Sequence, residues 1–232
     1  MIDQDKPLLL SCPVINADNL AQMGAALNAE DVAFLKSLGK MKKFAKDSVF
    51  VYSGETIDHL VYLETGLVRM LAVGEDGSEK TYSYFTPGCF IGEAAFFHRQ
   101  PVLFDLRFLE RSTIYLVDGQ HLTQILQRPS IVQYLLVSVS LVSRTLAMQI
   151  GDAAFRTTEE KVCRTLFCLS GEEYTRFKPF FTHQEIADLA GVHRVTVTNT
   201  LAELKKEGIV SVPLRGHIRV LDRDKLRRYF RI

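Results

Sequence analysis

The thirty residues from Phe181 to Val210, FTHQEIADLAGVHRVTVTNTLAELKKEGIV, encode two helices broken by a tight turn. Thr182 followed three residues later by Glu185 makes a capping box, in which each side chain satisfies the other's free backbone N–H. Ile186, Ala187, Leu189 and Ala190 then supply a small apolar face. Gly191 admits a backbone geometry that a Cβ would resist, and Val192, Val197, Leu201 and Leu204 recur beyond it at near-helical spacing. One face of the second helix is thereby committed to packing. The other begins with His193, Arg194, Val195 and Thr196 and continues through Thr198 to Asn199, about one and a half turns able to enter the major groove of duplex DNA. A helical hairpin of any small α domain shares part of this pattern, so the flanking residues matter.

After Gly208 the run IVSVPLRGHIRVLD gives two short β-branched segments joined through Arg215 and Gly216, a hairpin in the position of a wing. From Lys178 to Ile232 eleven Lys and Arg stand against six Asp and Glu, a local charge of +5 within a chain of net +1. The other 177 residues therefore carry −4. Such asymmetry suits one part meeting phosphate while the rest does something else. Lys205, Lys206, Arg215 and Arg219 add to the argument because they flank the reading helix.

Residues 41–118 contain no long helix pattern. Short runs rich in Val, Tyr, Phe and Leu (Val49 to Tyr52, Leu60 to Leu63, Leu67 to Val73, Lys80 to Phe85, Phe104 to Phe108, Thr113 to Val117) alternate with the turn signals Ser53-Gly54, Thr65-Gly66, Asp76-Gly77 and Pro87-Gly88. This spacing predicts a β sandwich or roll. From Pro129 to Phe155 the character changes: apolar residues recur every three or four positions, and the fifteen residues between Arg128 and Arg144 carry no charge. That is one helix of about seven turns, too apolar for a surface helix and short of the roughly twenty apolar residues of a membrane span. Leu135, Val139, Val142, Leu146 and Ile150 make an a/d seam through which two copies would pair, the alternative being a helix buried within one protomer.

The pattern THQEIADLAGVHRVTVTNTLAELKKEGIV resembles the DNA-binding end of the cyclic-AMP receptor protein and fumarate-nitrate regulator (CRP/FNR) family of bacterial transcription regulators. Upstream, Gly54-Glu55, the Glu64-Thr65-Gly66 turn and Gly88-Cys89-Phe90-Ile91-Gly92-Glu93 resemble the effector domain of that family. The resemblance implies an α+β chain: an N-terminal β-roll (double-stranded β-helix, cyclic-nucleotide-binding-like) over residues 1–127, a dimerisation helix and hinge over 128–156, and a winged helix-turn-helix over 157–232. A capping box from Thr157 to Glu160 marks the start of the last part. The implied protein is a cytoplasmic, homodimeric, sequence-specific activator that binds double-stranded DNA, works with RNA polymerase and spans no membrane.

In cyclic-nucleotide-binding relatives a Gly-Glu pair lies beside the sugar and an Arg about ten residues later pairs with the phosphate. Gly92 and Glu93 are present, but the place of the Arg falls among Pro101, Val102, Leu103 and Phe104, which cannot pair with an anion. Leu146 and Ala147 likewise stand where cyclic-AMP binders use hydroxyl-bearing residues. The expected effector is therefore a small molecule other than cyclic AMP, a cyclic-nucleotide-dependent regulator being an alternative. Its predicted pocket is lined by Tyr82, Tyr84, Phe90 and Ile91, with Gly92, Glu93, Leu103 and Phe104 alongside, Lys80 close by, and Tyr134, Val142 and Leu146 from the long helix. Phe85, Phe96 and Phe97 extend the aromatic wall, although aromatic residues also fill the core of most β rolls, and Arg99 or Arg107 could replace the missing cation. The Val195 environment, the Glu75-to-Lys80 hairpin and Cys12 most resemble the halophenol-responsive dehalogenation regulators within the family, which implies an aromatic or halogenated aromatic anion.

For DNA the resemblance implies that Arg194 reads guanine through O6 and N7, Val195 meets a thymine methyl where the family often has Glu, and Asn199 suits adenine. His193, Thr196 and Lys206 would position the phosphates, with Thr182, Gln184, Thr198 and Arg215 completing the interface. Half-sites rich in A and T, arranged as an inverted repeat, are expected.

Other sensing chemistries leave weaker traces. Cys12, Cys89, Cys163 and Cys168 lack the spacing that clasps an iron-sulfur cluster, though Cys12 suits a redox-sensitive thiol. His59, His98 and His121 are imaginable haem ligands without a telling spacing. A metal-dependent β-roll enzyme needs clustered His and Glu, and no His-x-His occurs. The chain is expected to be neither an enzyme nor a holder of a fixed cofactor. Leu8 to Leu10 is too short for a signal peptide's apolar region, and Asp3 and Asp5 oppose its usual positive start.

Overall fold

The computed structural model describes residues 13–171, 181–212 and 218–230. Cys12, Arg215 and the tip of the expected wing lie outside them. The chain divides into two compact units, one made of Val14–Val73 and Tyr82–Arg144, the other of Thr145–Ile232 with Gly74–Thr81.

The first unit opens with strand β1 (Val14–Ile15) and helices α1 (Ala17–Gln22) and α2 (Ala29–Leu38). Strands β2 (Gly39–Phe44), β3 (Val49–Val51), β4 (His59–Thr65), β5 (Val68–Val73), β6 (Glu79–Phe85) and β7 (Phe90–Ile91) follow, then helix α3 (Glu93–His98), β8 (Asp105–Phe108), β9 (Ser112–Asp118) and the short helix α4 (Leu122–Leu126). One sheet runs β1-β6-β5-β8-β3 and the other β2-β9-β4-β7. The order is that of a roll, in which sequence-distant strands become neighbours. β2 lies antiparallel to β9 from Gly39↔Val117 to Phe44↔Ser112, and β4 pairs with the other edge of β9. Leu60, Val61, Leu63, Val68, Leu71, Ile114 and Val117 are fully buried. Each expected strand is present. β2 was not expected, because its sequence GKMKKF carries three Lys and its middle residues are exposed: it is a charged edge strand, whose stability comes from backbone pairing rather than an apolar face.

Helix α5 (Pro129–Phe155) spans the expected 27 residues. By length and composition alone it would cross a membrane, yet Ile131, Tyr134, Leu135, Ser138, Leu141 and Thr145 form a buried stripe belonging to the protein core. Leu135 thus turns inward rather than lying on the open seam expected of it. Leu136 (65 % exposed) and Ile150 (70 % exposed) lie open, with Val139, Val142 and Leu146 half-buried.

The second unit contains α6 (Thr158–Leu169), α7 (His183–Ala190), α8 (Arg194–Lys206), the pair β10 (Val210–Ser211) and β11 (Arg219–Val220), and α9 (Arg223–Arg227). Both capping boxes form, Thr157 with Glu160 and Thr182 with Glu185. Gly191 ends α7 at φ +65°, the left-handed region where a side chain is strained. Val162, Cys163, Leu166, Ile186, Ala187, Leu189, Val197, Leu201 and Leu204 pack into one core. β10 and β11 pair antiparallel as Val210↔Val220, the base of the expected wing. Thr182→Ala removes the hydroxyl oxygen that accepts from the Glu185 N–H and the hydroxyl's own bond to the Glu185 carboxylate, while the Thr182 N–H still donates to that carboxylate. It is expected to lower unfolding stability by about 0.5–2 kcal/mol, read as a lower denaturation midpoint with an unchanged m-value.

Candidate nucleic-acid interface and effector site

α8 is held from behind and open in front. Val197, Thr200, Leu201 and Leu204 are buried, whereas His193, Arg194, Val195, Thr198 and Asn199 are exposed and Thr196 is half-buried. Val195 is 68 % exposed, an apolar side chain at the open front of α8. His193 occupies the N-cap without a capping bond, so its imidazole is not committed to the helix end. The expected DNA-contacting residues are therefore brought together, apart from Arg215, which lies outside the described residues.

Several of them already have partners. Thr198 Oγ1 donates to the Arg194 carbonyl at 3.1 Å and lies 3.0 Å from His183 Nδ1. Gln184 Nε2 donates to the buried Asp188 at 2.7 Å, and Lys206 pairs with Glu203 at 2.7 Å. Thr182 is engaged in its cap. Contact with phosphate by Gln184 or Lys206 would compete with these bonds. His183 has no signal in the sequence; only the structure brings it to Thr198, fifteen residues away on α8.

Lys80 corrects its expected placement beside the effector. Within the second unit its Nζ donates to the Leu189 carbonyl, in the last turn of α7, and its stem lies against Gly191. Burial and, less strongly, Lys161 push its pKa down to about 8, while Asp188 opposes the shift. An ammonium at a helix C-terminus meets the negative end of the dipole, so Lys80 closes the turn rather than lining a pocket in the roll.

The expected effector residues of the first unit divide as well. Tyr84, Phe90, Ile91, Glu93 and Tyr134 are buried as core. Phe90 meets Tyr62 and Tyr134 edge-on, with ring centroids 5.8 Å apart in each case, and Tyr134 donates its hydroxyl to the Gly88 carbonyl at 2.7 Å. Glu93 accepts from Ser138 Oγ of α5 at 2.8 Å. Burial raises the Glu93 pKa and holds the carboxyl toward its neutral form, with the Ser138 hydroxyl and a backbone hydrogen bond opposing. Gly92 is equally tight: a Cβ there would run into Ile57 Cδ1. Leu103, expected beside Glu93, is 83 % exposed, and the preceding Val102 is fastened by backbone bonds to Gly54 and Glu55. Tyr82 and Phe104 are half-buried. The cassette is thus filled by its own side chains, and the position of the missing Arg offers no cation.

A cavity of about 350 Å³ is lined instead by Thr56, Ile57, Asp58, Phe96, Phe97, Arg99, Gly119 and Leu122. Phe96 and Phe97 stand edge-to-face at 5.2 Å. Arg99 has φ +57°, one of two non-glycine residues in the left-handed region among the described residues, and Asp58, which lines the same cavity, pairs with His59. That backbone state is set by the end of α3 and has no signature in composition. Cys89, Cys163 and Cys168 are buried; burial pushes the Cys89 and Cys163 thiols up to about 12, which makes them poor nucleophiles. Among the described residues no three His, Cys, Asp or Glu cluster as metal ligands.

Comparison with known proteins gives two family matches: a cyclic nucleotide-binding domain over residues 41–129 and a Crp-like helix-turn-helix domain over residues 160–229. The chain is 26 % identical, over 176 residues, to the cAMP-activated global transcriptional regulator CRP of Pasteurella multocida, which covers 73 % of this chain and 84 % of that protein. Among solved structures it resembles the c-di-GMP responsive global regulator CLP of Xanthomonas campestris (TM-score 0.71, 23 % identity, 84 % of this chain and 99 % of that one). It also resembles CprK complexed with OCPA (TM-score 0.70, 20 % identity, 94 % and 96 % coverage). At these identities the structural likeness shows the fold.

Proposed function

We infer that this chain, which belongs to the CRP/FNR family of bacterial transcription regulators, is a ligand-responsive DNA-binding regulator that acts as a homodimer on an inverted-repeat, A/T-rich operator. The observation that carries this reading is the front of α8, where Arg194, Val195 and Asn199 stand exposed on a helix whose back is core. Arg194 offers two parallel donors to guanine O6 and N7; Val195 offers apolar contact to a thymine methyl; Asn199 suits adenine N6 and N7. Dimerisation follows the open stripe of α5, with Leu136 in place of Leu135 and with Val139, Val142, Leu146 and Ile150 continuing it. Two reading helices one DNA turn apart then match an inverted repeat. We place its action in the cytoplasm, as an activator that presents a surface to RNA polymerase, without catalysis.

For the effector we propose an aromatic anion, halogenated phenols being the chemistry to try first. Phe96 and Phe97 with Arg99 supply aromatic surface and a cation in one cavity. The Glu93 cassette supplies a buried carboxyl and no cation, which disfavours a cyclic phosphate. A thermal-shift screen of halogenated phenols against cyclic AMP tests this. At about 100 times its Kd a ligand stabilises by about 2.7 kcal/mol, so the melting temperature rises with the phenol. Arg99→Gln is expected to abolish that rise. Stabilisation by cyclic AMP alone contradicts the assignment, as does a phenol response unchanged in Arg99→Gln.

A further inference from the structure

His183 opens α7, and its Nδ1 lies 3.0 Å from the Thr198 hydroxyl on α8. A hydroxyl has one hydrogen, and that of Thr198 is given to the Arg194 carbonyl at 3.1 Å. The Thr198 oxygen therefore offers His183 only lone pairs, so Nδ1 carries a proton and donates. This fixes Nε2 as the nitrogen that titrates. Neutral, Nε2 is a bare acceptor that a phosphate oxygen repels; protonated, it is a charged donor beside the reading helix.

We propose that His183 is a DNA-backbone contact that engages only as the imidazolium, so that binding of duplex DNA is coupled to uptake of a proton at Nε2. The inference rests on the DNA-binding reading and adds a residue to it. In the free protein, burial first and the Arg194 guanidinium second hold the ring below its ordinary pKa, so the neutral form prevails at neutral pH. Four of the charged groups near it have partners of their own. On its own helix Glu185 is bound in the Thr182 cap and Asp188 accepts from Gln184; Lys80 sits at the far end of that helix; on α6 Arg164 pairs with Asp152. Arg194, on α8, is the charge acting on the imidazole. DNA reverses the balance, because phosphate both satisfies Arg194 and stabilises the imidazolium.

The sign follows from linkage. A histidine whose pKa is raised by binding contributes affinity that is fully present below the free-state pKa and is lost as pH rises through the bound-state value. Affinity therefore falls from below about pH 6.5 upward, by up to about tenfold for each pKa unit between the two states. Because phosphate is the contact, a mixed-sequence duplex of about three helical turns is a sufficient probe. Fluorescence anisotropy on the full chain is expected to show that decline, with calorimetry in two buffers of different ionisation enthalpy registering proton uptake at neutral pH. His183→Gln should lose this part of the slope and of the uptake. His183→Arg, permanently charged, should bind at neutral pH as tightly as the unaltered protein does in acid. Equal slopes and equal proton uptake in the unaltered protein and His183→Gln overturn the proposal while leaving DNA binding intact. Failure of all three proteins to bind duplex overturns both readings.

Discussion

Replacing Arg194 with alanine is expected to weaken binding to a selected operator by about 1–3 kcal/mol, roughly 5- to 150-fold in Kd. The loss should be uneven across sequences. A bidentate contact discriminates one base pair, so the mutant tolerates substitution at a single position of each half-site and keeps its preferences elsewhere. Arg194 is exposed at the first position of α8 and makes no packing contact in the core behind it, so stability should be unchanged. Binding of the mutant that is uniformly weaker, with the same base preferences as before, would reassign Arg194 to phosphate. A reduced salt slope by about one charge would accompany that result.

The second large effect is expected at Leu136. Two-thirds of its surface is open in the single chain, and it stands on the stripe that continues through Val139 and Leu146 to Ile150. Leu136→Glu places a carboxylate in an a/d seam opposite its own copy, where like charges are both desolvated and close. The protein should sediment as a monomer with an unaltered helical spectrum, because the residue is not part of the chain's own core. Operator affinity should fall by about a hundredfold or more, the avidity two linked reading heads provide. Leu135→Ala provides the contrast: that side chain is buried within its own protomer, so it should cost about 2–5 kcal/mol of stability while leaving dimerisation intact. A dimer that survives Leu136→Glu would move the interface elsewhere.

The pair Leu135 and Leu136 also shows what sequence could and could not specify. α5 is apolar around much of its circumference, so a period of three or four residues predicts the helix and its ends but leaves two adjacent stripes equally plausible as the inward one. Packing against the roll decides it. The helix-turn-helix was legible because its determinants are local: two capping boxes, a glycine at φ +65° and an apolar repeat on α8. The strands between Val49 and Val117 were legible for the same reason, being alternating runs closed by Gly and Pro turns. β2 was not, since a lysine-rich edge strand has no apolar periodicity to read.

Site geometry was less accessible. Lys80 finds its partner 109 residues away, and His183 and Thr198 meet across a helical turn; neither distance is written in a motif. The aromatic residues around Phe90 have the composition of a ligand pocket and the packing of a core, and composition cannot separate the two. The lack of an Arg among residues 101–104 was readable directly, since it concerns which residues are present rather than where they point. Arg99 was readable as a cation but not as one wall of a cavity, because its place depends on the left-handed residue that ends α3.

Selection of duplexes from a random pool by the full chain, followed by sequencing of what is retained, tests the central claim most directly. The account predicts two A/T-rich half-sites related as an inverted repeat, centred about one helical turn apart, with at most one fixed G·C pair in each. Enrichment of a single unrepeated half-site, or of no sequence at all, would contradict it.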